Sequence, residues 1–265
     1  MRLTEDPRDV YTRLLIICAP YGPIDYQQNV AFNAMAASGA TVLQADAHAD
    51  VSLTRCEMAT RGAEYIRSQS RTRWVLWCDA DVLIGPGVAA LADYCEQASE
   101  QLGYEVSVSG TYMKRRQPDC IAACCIRKDG EYWPRRCSVA PYRTGETERI
   151  VDLIPCLVGL GCLLQPVQTF LRHVDSSPKF ETGAGILSAV CQSGIEPAER
   201  WHPFVDLQHT EPLTFVGEDF DYCMTEFTMG SSVLLSPVLF DHLVSARVTP
   251  KGRVCLEGHG YATIT

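Results

Sequence analysis

The stretch WVLWCDADVLIGPG, Trp74 to Gly87, places two carboxylates, Asp79 and Asp81, directly after an apolar run. Buried charge is costly unless something pairs with it. Two acids one residue apart at a strand end lie near one point in space. In a turn they can converge on a hard divalent cation, which takes oxygen ligands and can bridge to phosphate oxygens. The competing reading of Asp79 and Asp81 is a plain turn in which an aspartate caps the next helix. A second acidic group is GEDFDYC, Gly217 to Cys223, where Glu218, Asp219 and Asp221 lead a helical pattern. They are either a general base facing a site or acids favoured by the helix dipole in a first turn. His242, after the apolar SPVLF, is a candidate third ligand for manganese or a similar ion, or a structural histidine.

Weaker signals accompany these. Gly159 and Gly161 either let a backbone approach a ligand closely or mark a kinked or bulged strand. Lys114, Arg115 and Arg116 either neutralise phosphate or form a solvated charge run. Tyr132, Trp133 and Trp201 either stack on a sugar or base or are partly buried hydrophobes. Cys120, Cys124, Cys125 and Cys137 contain no C-x-x-C pair and fit no common zinc spacing.

The elements that must carry these residues alternate through the first hundred positions. LLIICAP from Leu14 to Pro20 reads as a buried strand ending in a proline loop. Asp25 to Ser38 has helical spacing with Gly39 as its stop, and TVLQA from Thr41 is a second strand. Ser52 is the expected cap of a helix running to about Ser68. Trp74 to Cys78 is a third strand, and a helix follows Gly85-Pro86-Gly87 to about Leu102. Alternating strands and helices imply a parallel sheet with helices on both faces, where ligands bind at the carboxyl ends of strands. CAPYG and CDADV both lie at such ends.

The second half is less regular. A strand is expected over about 106–113, and a hairpin over about 121–139 around Asp129-Gly130. Residues 151–165 carry the Gly-x-Gly break, and a short helix is expected over about 168–174. The polar 175–212 segment reads as loop. A helix over about 219–229, stopped by Gly230, precedes a final strand toward His242.

Composition bounds the rest. The 265 residues suffice for one sizeable α/β core, 46% are hydrophobic and 21% charged, and the net charge of −9 counts against broad nucleic-acid binding. MRLTEDPRDV has acids and a proline where a signal peptide needs an apolar core. The longest uncharged run, Leu153 to Leu171, is broken by prolines and glycines, so no membrane span is expected. The 13 scattered cysteines fit a reducing compartment better than a disulfide framework. A cytoplasmic protein is the expectation.

In their order along the chain, the CAPYG loop, SLTRCEMA, WCDADV, GLGCLL, GEDFDYC and the strand-end His242 resemble glycosyltransferases of the GT-A fold, D-x-D type and family-two-like, from about Arg13 to His242. The resemblance implies an α/β, Rossmann-like, mostly parallel central sheet with flanking helices and an irregular acceptor-side half. It implies a single domain over 1–265, with about 11–110 binding the nucleotide sugar and about 111–265 facing the acceptor. It implies a divalent metal, Mn2+ or Mg2+, with Asp81 as a direct ligand, Asp79 at the ribose or the metal shell, and His242 completing the metal site. Ala19, Pro20 and Tyr21 would border the base with Arg55 nearby, and Gly159 and Gly161 would line the donor-sugar or acceptor side. Asp219 would be the base of an inverting transfer, with Glu218 its neighbour. The donor would be a nucleotide-diphosphate sugar, a uridine diphosphate sugar first. The acceptor would be a glycan, a lipid-linked sugar, a protein side chain or a hydroxymethylated DNA base. DHLVSARVTPKG departs from the family's His-Gly ending, which makes His259 an alternative to His242.

Three other readings compete. A haloacid-dehalogenase-type phosphohydrolase would carry D-x-D on its first strand and continue to a threonine, whereas here Val82 and Leu83 follow on the third. A sugar-nucleotide-forming nucleotidyltransferase would want a glycine- and arginine-rich loop after the first strand, which CAPYGPIDY does not supply. A non-catalytic nucleotide-sugar-binding protein would be signalled by loss of the D-x-D, which is intact.

Overall fold

A computed structural model describes residues 7–20, 24–46, 50–69, 71–114, 117–125, 135–138, 155–183, 185–191, 194–197, 213–216, 218–242, 246–248, 253–256 and 260–263. Helix α1 (Pro7–Thr12) precedes strand β1 (Leu14–Cys18), helix α2 (Tyr26–Ala37) and strand β2 (Thr41–Gln44). Helix α3 (Val51–Ser68), strand β3 (Trp74–Cys78), the short β4 (Val82–Leu83) and helix α4 (Gly87–Leu102) follow. Next come β5 (Ser107–Thr111), β6 (Met113–Lys114), β7 (Gln117–Cys125), β8 (Arg135–Ser138), β9 (Cys156–Val158) and β10 (Cys162–Pro166). Helix α5 (Val167–Ser176) leads to β11 (Lys179–Thr182), β12 (Gly185–Ser188), β13 (Gly194–Pro197) and β14 (Leu213–Val216). Helix α6 (Glu218–Thr228) and β15 (Val233–Leu239) are followed by β16 (Asp241–His242), β17 (Ala246–Val248), β18 (Arg253–Leu256) and β19 (Gly260–Thr263).

The central sheet has six strands in the order β15-β5-β10-β3-β1-β2. Its strands are parallel except β10, which runs antiparallel to both β3 and β5. The chain is therefore an α/β protein with a mostly parallel central sheet and flanking helices. The period-two alternation of the strands splits their side chains between two cores. Leu15, Ile17, Val75, Trp77 and Leu163 face α3, α5 and α6. Leu14, Ile16, Leu76, Cys78 and Leu164 face α1, α2 and α4.

Several expectations need correction. The sheet is mostly parallel, as expected, but nothing in the sequence marks β10 as its antiparallel strand, because strand direction is set by neighbours rather than by composition. Helix α3 is capped not by Ser52 but by Asp50, whose carboxylate accepts the Leu53 N–H at 3.0 Å. The 175–212 segment, read as loop, contains the β11–β12 hairpin and the start of a second pair, β13 with β14. In β11 exposed and half-buried positions alternate, and β12 buries only its last two residues, so the hairpin carries little apolar signal. The expected 121–139 hairpin corresponds to β7 paired antiparallel with β8, while its Asp129-Gly130 turn lies outside the described residues. Helix α6 ends at Gly230, which adopts the left-handed φ of 77° that closes a helix at low cost. Among the described residues no helix is long and apolar enough to cross a membrane.

Candidate functional site

Register brings three chain segments level. In the parallel pair, Cys18 of β1 lies beside Cys78 of β3, so Ala19 stands level with Asp79. In the antiparallel pair, Cys162 of β10 lies beside Cys78, so Gly161 stands opposite Asp79, and its carbonyl accepts the Asp79 N–H at 3.1 Å. Because β10 runs antiparallel, its N-terminal turn, not its end, meets the carboxyl ends of β1 and β3.

The turn after β3 is tied down by α2. The Ala80 carbonyl accepts the Asp25 N–H at 3.4 Å. The fully buried Gln28 amide donates to the Cys78 thiol at 2.8 Å and to the Asp79 carbonyl at 3.3 Å, and its oxygen accepts the Ile84 N–H at 3.1 Å. Gln28 thus clamps both ends of the segment holding Asp79 and Asp81. Beyond it, β4 pairs with β16 and sets the His242 main chain beside Val82, one residue from Asp81. The side chain of His242 lies outside the described residues, as do Tyr21, His259, Tyr132, Trp133 and Trp201. The chemistry of Cys120, Cys124, Cys125 and Cys137, on β7 and β8, is likewise outside them.

Arg55 is the centre of the site. It projects from the buried face of α3 and is only 4% exposed. Its Nη2 lies 3.2 Å from Asp79 Oδ1, and its Nη1 lies 3.2 Å from Glu218 Oε1 and in close contact with Asp219 Oδ1. One guanidinium therefore joins the D-x-D turn to the first turn of α6. Its three acidic partners each keep roughly a third of their surface open to solvent. Burial works against the Arg55 charge, but Asp219, Asp79, Cys191 and Glu218 outweigh it and hold the guanidinium firmly protonated. Asp219 is pushed the other way: burial raises its proton affinity, the Asp79 charge adds to this, and Arg55 and a main-chain hydrogen bond from Leu160 oppose it.

Ala19 is buried at the end of β1, with Pro20 beside it. Burial and the nearby Asp79 charge push the Cys18 thiol up to about 12 against the pull of Arg55, which places the β1 end within the field of the same ion network. Gly159 and Gly161 form the turn between β9 and β10. A methyl group on Gly161 would stand 2.6 Å from the Tyr112 hydroxyl and 2.9 Å from Asp79 Oδ2; one on Gly159 would collide with the same hydroxyl and stand 3.6 Å from Asp219 Oδ2. The close approach made here by the two glycines is to Tyr112. Tyr112 and Gln28 were not among the residues picked out by sequence, since an isolated polar side chain contacting a distant segment has no spacing signature.

The structure thus brings together Ala19, Pro20, Arg55, Asp79, Asp81, Gly159, Gly161, Glu218 and Asp219, with the main chain of His242 adjacent. Among the described residues no three His, Cys, Asp or Glu side chains already converge on a metal position.

No family model matches the chain, and no curated protein matches it. Among solved structures, A197 from STIV is similar over 96% of this chain and 98% of that one, at 14% identity and a TM-score of 0.44. CMP:2-keto-3-deoxy-manno-octonic acid synthetase complexed with CTP is similar over 63% of this chain and 78% of that one, at 11% identity and a TM-score of 0.32. At such values the likeness says nothing of this chain's chemistry.

Proposed function

We propose that the chain is a metal-dependent glycosyltransferase of the GT-A type, moving a sugar from a nucleotide-diphosphate sugar to an acceptor hydroxyl with inversion. The observation that carries the proposal is Arg55 holding Asp79 of the D-x-D turn and Asp219 of α6 on one guanidinium at the carboxyl ends of β1 and β3. Asp79, Glu218 and Asp219 set three carboxylates against Arg55, and Asp81 stands two residues beyond Asp79, an excess of hard oxygen donors suited to Mn2+ or Mg2+. The donor set fits such an ion in type, with Asp81 and Asp79 as ligands and His242 as the third. When bound, the ion would stabilise negative charge on the departing diphosphate.

In this reading the protein's own groups do the following. Ala19, Pro20 and the β1 end border the nucleoside. Gln28 and the Gly161 carbonyl hold the D-x-D main chain against the sheet, so that the carboxylates need no reorganisation. Asp219 gives Oδ1 to Arg55 and keeps Oδ2 toward Gly159, the oxygen positioned to take the acceptor's proton. The acceptor oxygen attacks the anomeric carbon as its proton passes to Asp219, and the bond from that carbon to the diphosphate oxygen breaks. The raised proton affinity of Asp219 suits a general base. The acceptor remains a glycan, lipid-linked sugar, protein side chain or modified DNA base. A cytoplasmic location is in keeping with the eight cysteines whose side chains are described, all free.

Thermal unfolding with a panel of nucleotide diphosphates and nucleotide sugars, with and without Mn2+, tests the reading on wild type and Asp81→Ala. A manganese-dependent rise in Tm with one nucleotide, lost in Asp81→Ala, is expected, because a ligand of the native state must stabilise it. No rise with any pair would overturn the site.

A further inference from the structure

Tyr112, between β5 and β6, is 5% exposed and sends its hydroxyl across the sheet to the start of β10. There the hydroxyl accepts the Gly161 N–H at 3.1 Å. It fills the space where a side chain on either Gly159 or Gly161 would lie. The turn it holds is bonded to both acidic ends of the site: the Gly161 carbonyl accepts the Asp79 N–H at 3.1 Å, and the Leu160 main chain bonds Asp219. Two successive residues, Leu160 and Gly161, are thus fastened to Asp219, Asp79 and Tyr112. Burial, and then the Asp79 and Asp219 charges, keep the phenol protonated, so the hydroxyl does not become a fourth anion beside them.

We propose that Tyr112 is a positioning residue of the site: its hydroxyl pins the turn 159–161, and through that turn it sets the Asp79 main chain and the Asp219 carboxylate. The consequence for turnover rests on the transferase reading; the positioning itself does not.

The test compares full-length wild type, Tyr112→Phe, Gly159→Ala and the double variant Tyr112→Phe/Gly159→Ala. Amide hydrogen exchange at Gly161 and Asp79 is read first. Steady-state kinetics with a nucleotide sugar and Mn2+ follow, at a temperature well below each Tm. Tyr112→Phe is expected to speed exchange at both amides by about tenfold, the scale of one hydrogen bond lost. It should lower kcat by about tenfold with donor KM changed less, because misplaced groups cost rate more than affinity. Gly159→Ala is expected to lower Tm, and the double variant to recover it, since without the hydroxyl the nearest ring carbon lies at an ordinary 3.6 Å. Unchanged exchange at both amides in Tyr112→Phe overturns the proposal and leaves the transferase reading intact. Faster exchange with unchanged kcat also overturns it, leaving Tyr112 a packing residue. If the wild type turns over no nucleotide sugar with any metal, the transferase reading fails, and exchange alone decides the positioning. Should Tyr112→Phe not fold, Gly159→Ala pushes on the same hydroxyl, and wild-type exchange at Gly161 in that variant overturns the proposal.

Discussion

Helix α6 carries two polar clusters two turns apart, and they treat charge in opposite ways. At its N-terminal end Glu218 and Asp219 share the Arg55 guanidinium with Asp79, and each acid keeps partial access to solvent. Toward its C-terminal end Glu226 is fully buried. There its Oε2 accepts the Ser107 hydroxyl at 2.7 Å, its Oε1 accepts the Gln165 amide, and no ion pair is among its described contacts. Gln165 in turn accepts from Trp77 Nε1 at 2.9 Å and from the Tyr222 hydroxyl at 2.6 Å. Burial pushes Glu226 up to about 8, against the pull of Ser107, Arg172 and Gln165. Both clusters hang on the same strands, β3 and β10. The upper one keeps its acids beside a cation and within reach of water, as the proposed binding site requires. The lower one satisfies a carboxyl mostly with neutral donors, which suits a lock that sets α6 against the sheet and so fixes where Asp219 stands.

The largest expected effect breaks the upper cluster. Arg55→Ala removes the only cation bonded to Asp79, Glu218 and Asp219 among the described contacts. Loss of one partner of a buried pair costs about 3–5 kcal/mol, and the solvent access of the three acids puts this case near the low end, about 3 kcal/mol. Urea unfolding at pH 7.5 measures it; a loss under about 1 kcal/mol would mean that the acids do not need Arg55. The next effect breaks the lower cluster. Gln165→Leu takes an acceptor from Trp77 and Tyr222 and a donor from Glu226, at a cost of about 2 kcal/mol. If the two clusters are separable, manganese-dependent nucleotide binding survives Gln165→Leu below its Tm and is lost in Arg55→Ala.

The clusters were unequally legible in the sequence. The acids of the upper one stand out because D-x-D after an apolar run, and E-D at a helix start, are local patterns. Arg55 was picked out by resemblance alone, since a single arginine among Cys56, Met58 and Ala59 looks like a helix that merely changes face. The lower cluster left no trace. Gln165 sits in an apolar run, Glu226 on what reads as a polar face, and their partners are 57 to 119 residues away. The alternation of strands and helices through Leu102 was readable because both periods are strong there. The direction of β10 was not, because GLGCLL would be equally apolar running either way. The β11–β12 hairpin was missed because β11 has only exposed and half-buried residues and β12 buries only Leu187 and Ser188, a pattern that imitates a loop.

Titration sharpens the comparison further. Glu226 binds its proton more tightly in the folded chain, at about 8 against an ordinary 4.5. Its contribution to stability is therefore complete below pH 4.5 and is lost as pH rises through about 8. Glu226→Gln keeps the shape and removes this term. The variant is expected to be more stable than wild type at pH 9, by on the order of 1–2 kcal/mol, and no more stable at pH 5. Chemical unfolding at the two pH values checks this, and an equal difference at both would place the Glu226 carboxyl outside the stability balance.

His173 gives the smallest effect and the opposite sign. Its ring stacks on Tyr222 at 4.0 Å between centroids, and its Nε2 lies 3.0 Å from the Val190 carbonyl. Burial lowers its pKa to about 4, with the Val190 carbonyl opposing. The neutral ring is thus the folded form, and its contribution is present above pH 6.5 and is lost as pH falls toward 4. The same lower cluster that loses stability to alkali through Glu226 should lose it to acid through His173. His173→Phe preserves an aromatic ring on Tyr222 but gives up the Val190 hydrogen bond. It is expected to cost about 1 kcal/mol at pH 7.5, where that bond is made, and less at pH 5. A penalty that grows toward low pH would mean that a charged His173 is welcome in the core. The lower cluster would then be a second ionised network, and the contrast between the two ends of α6 would collapse.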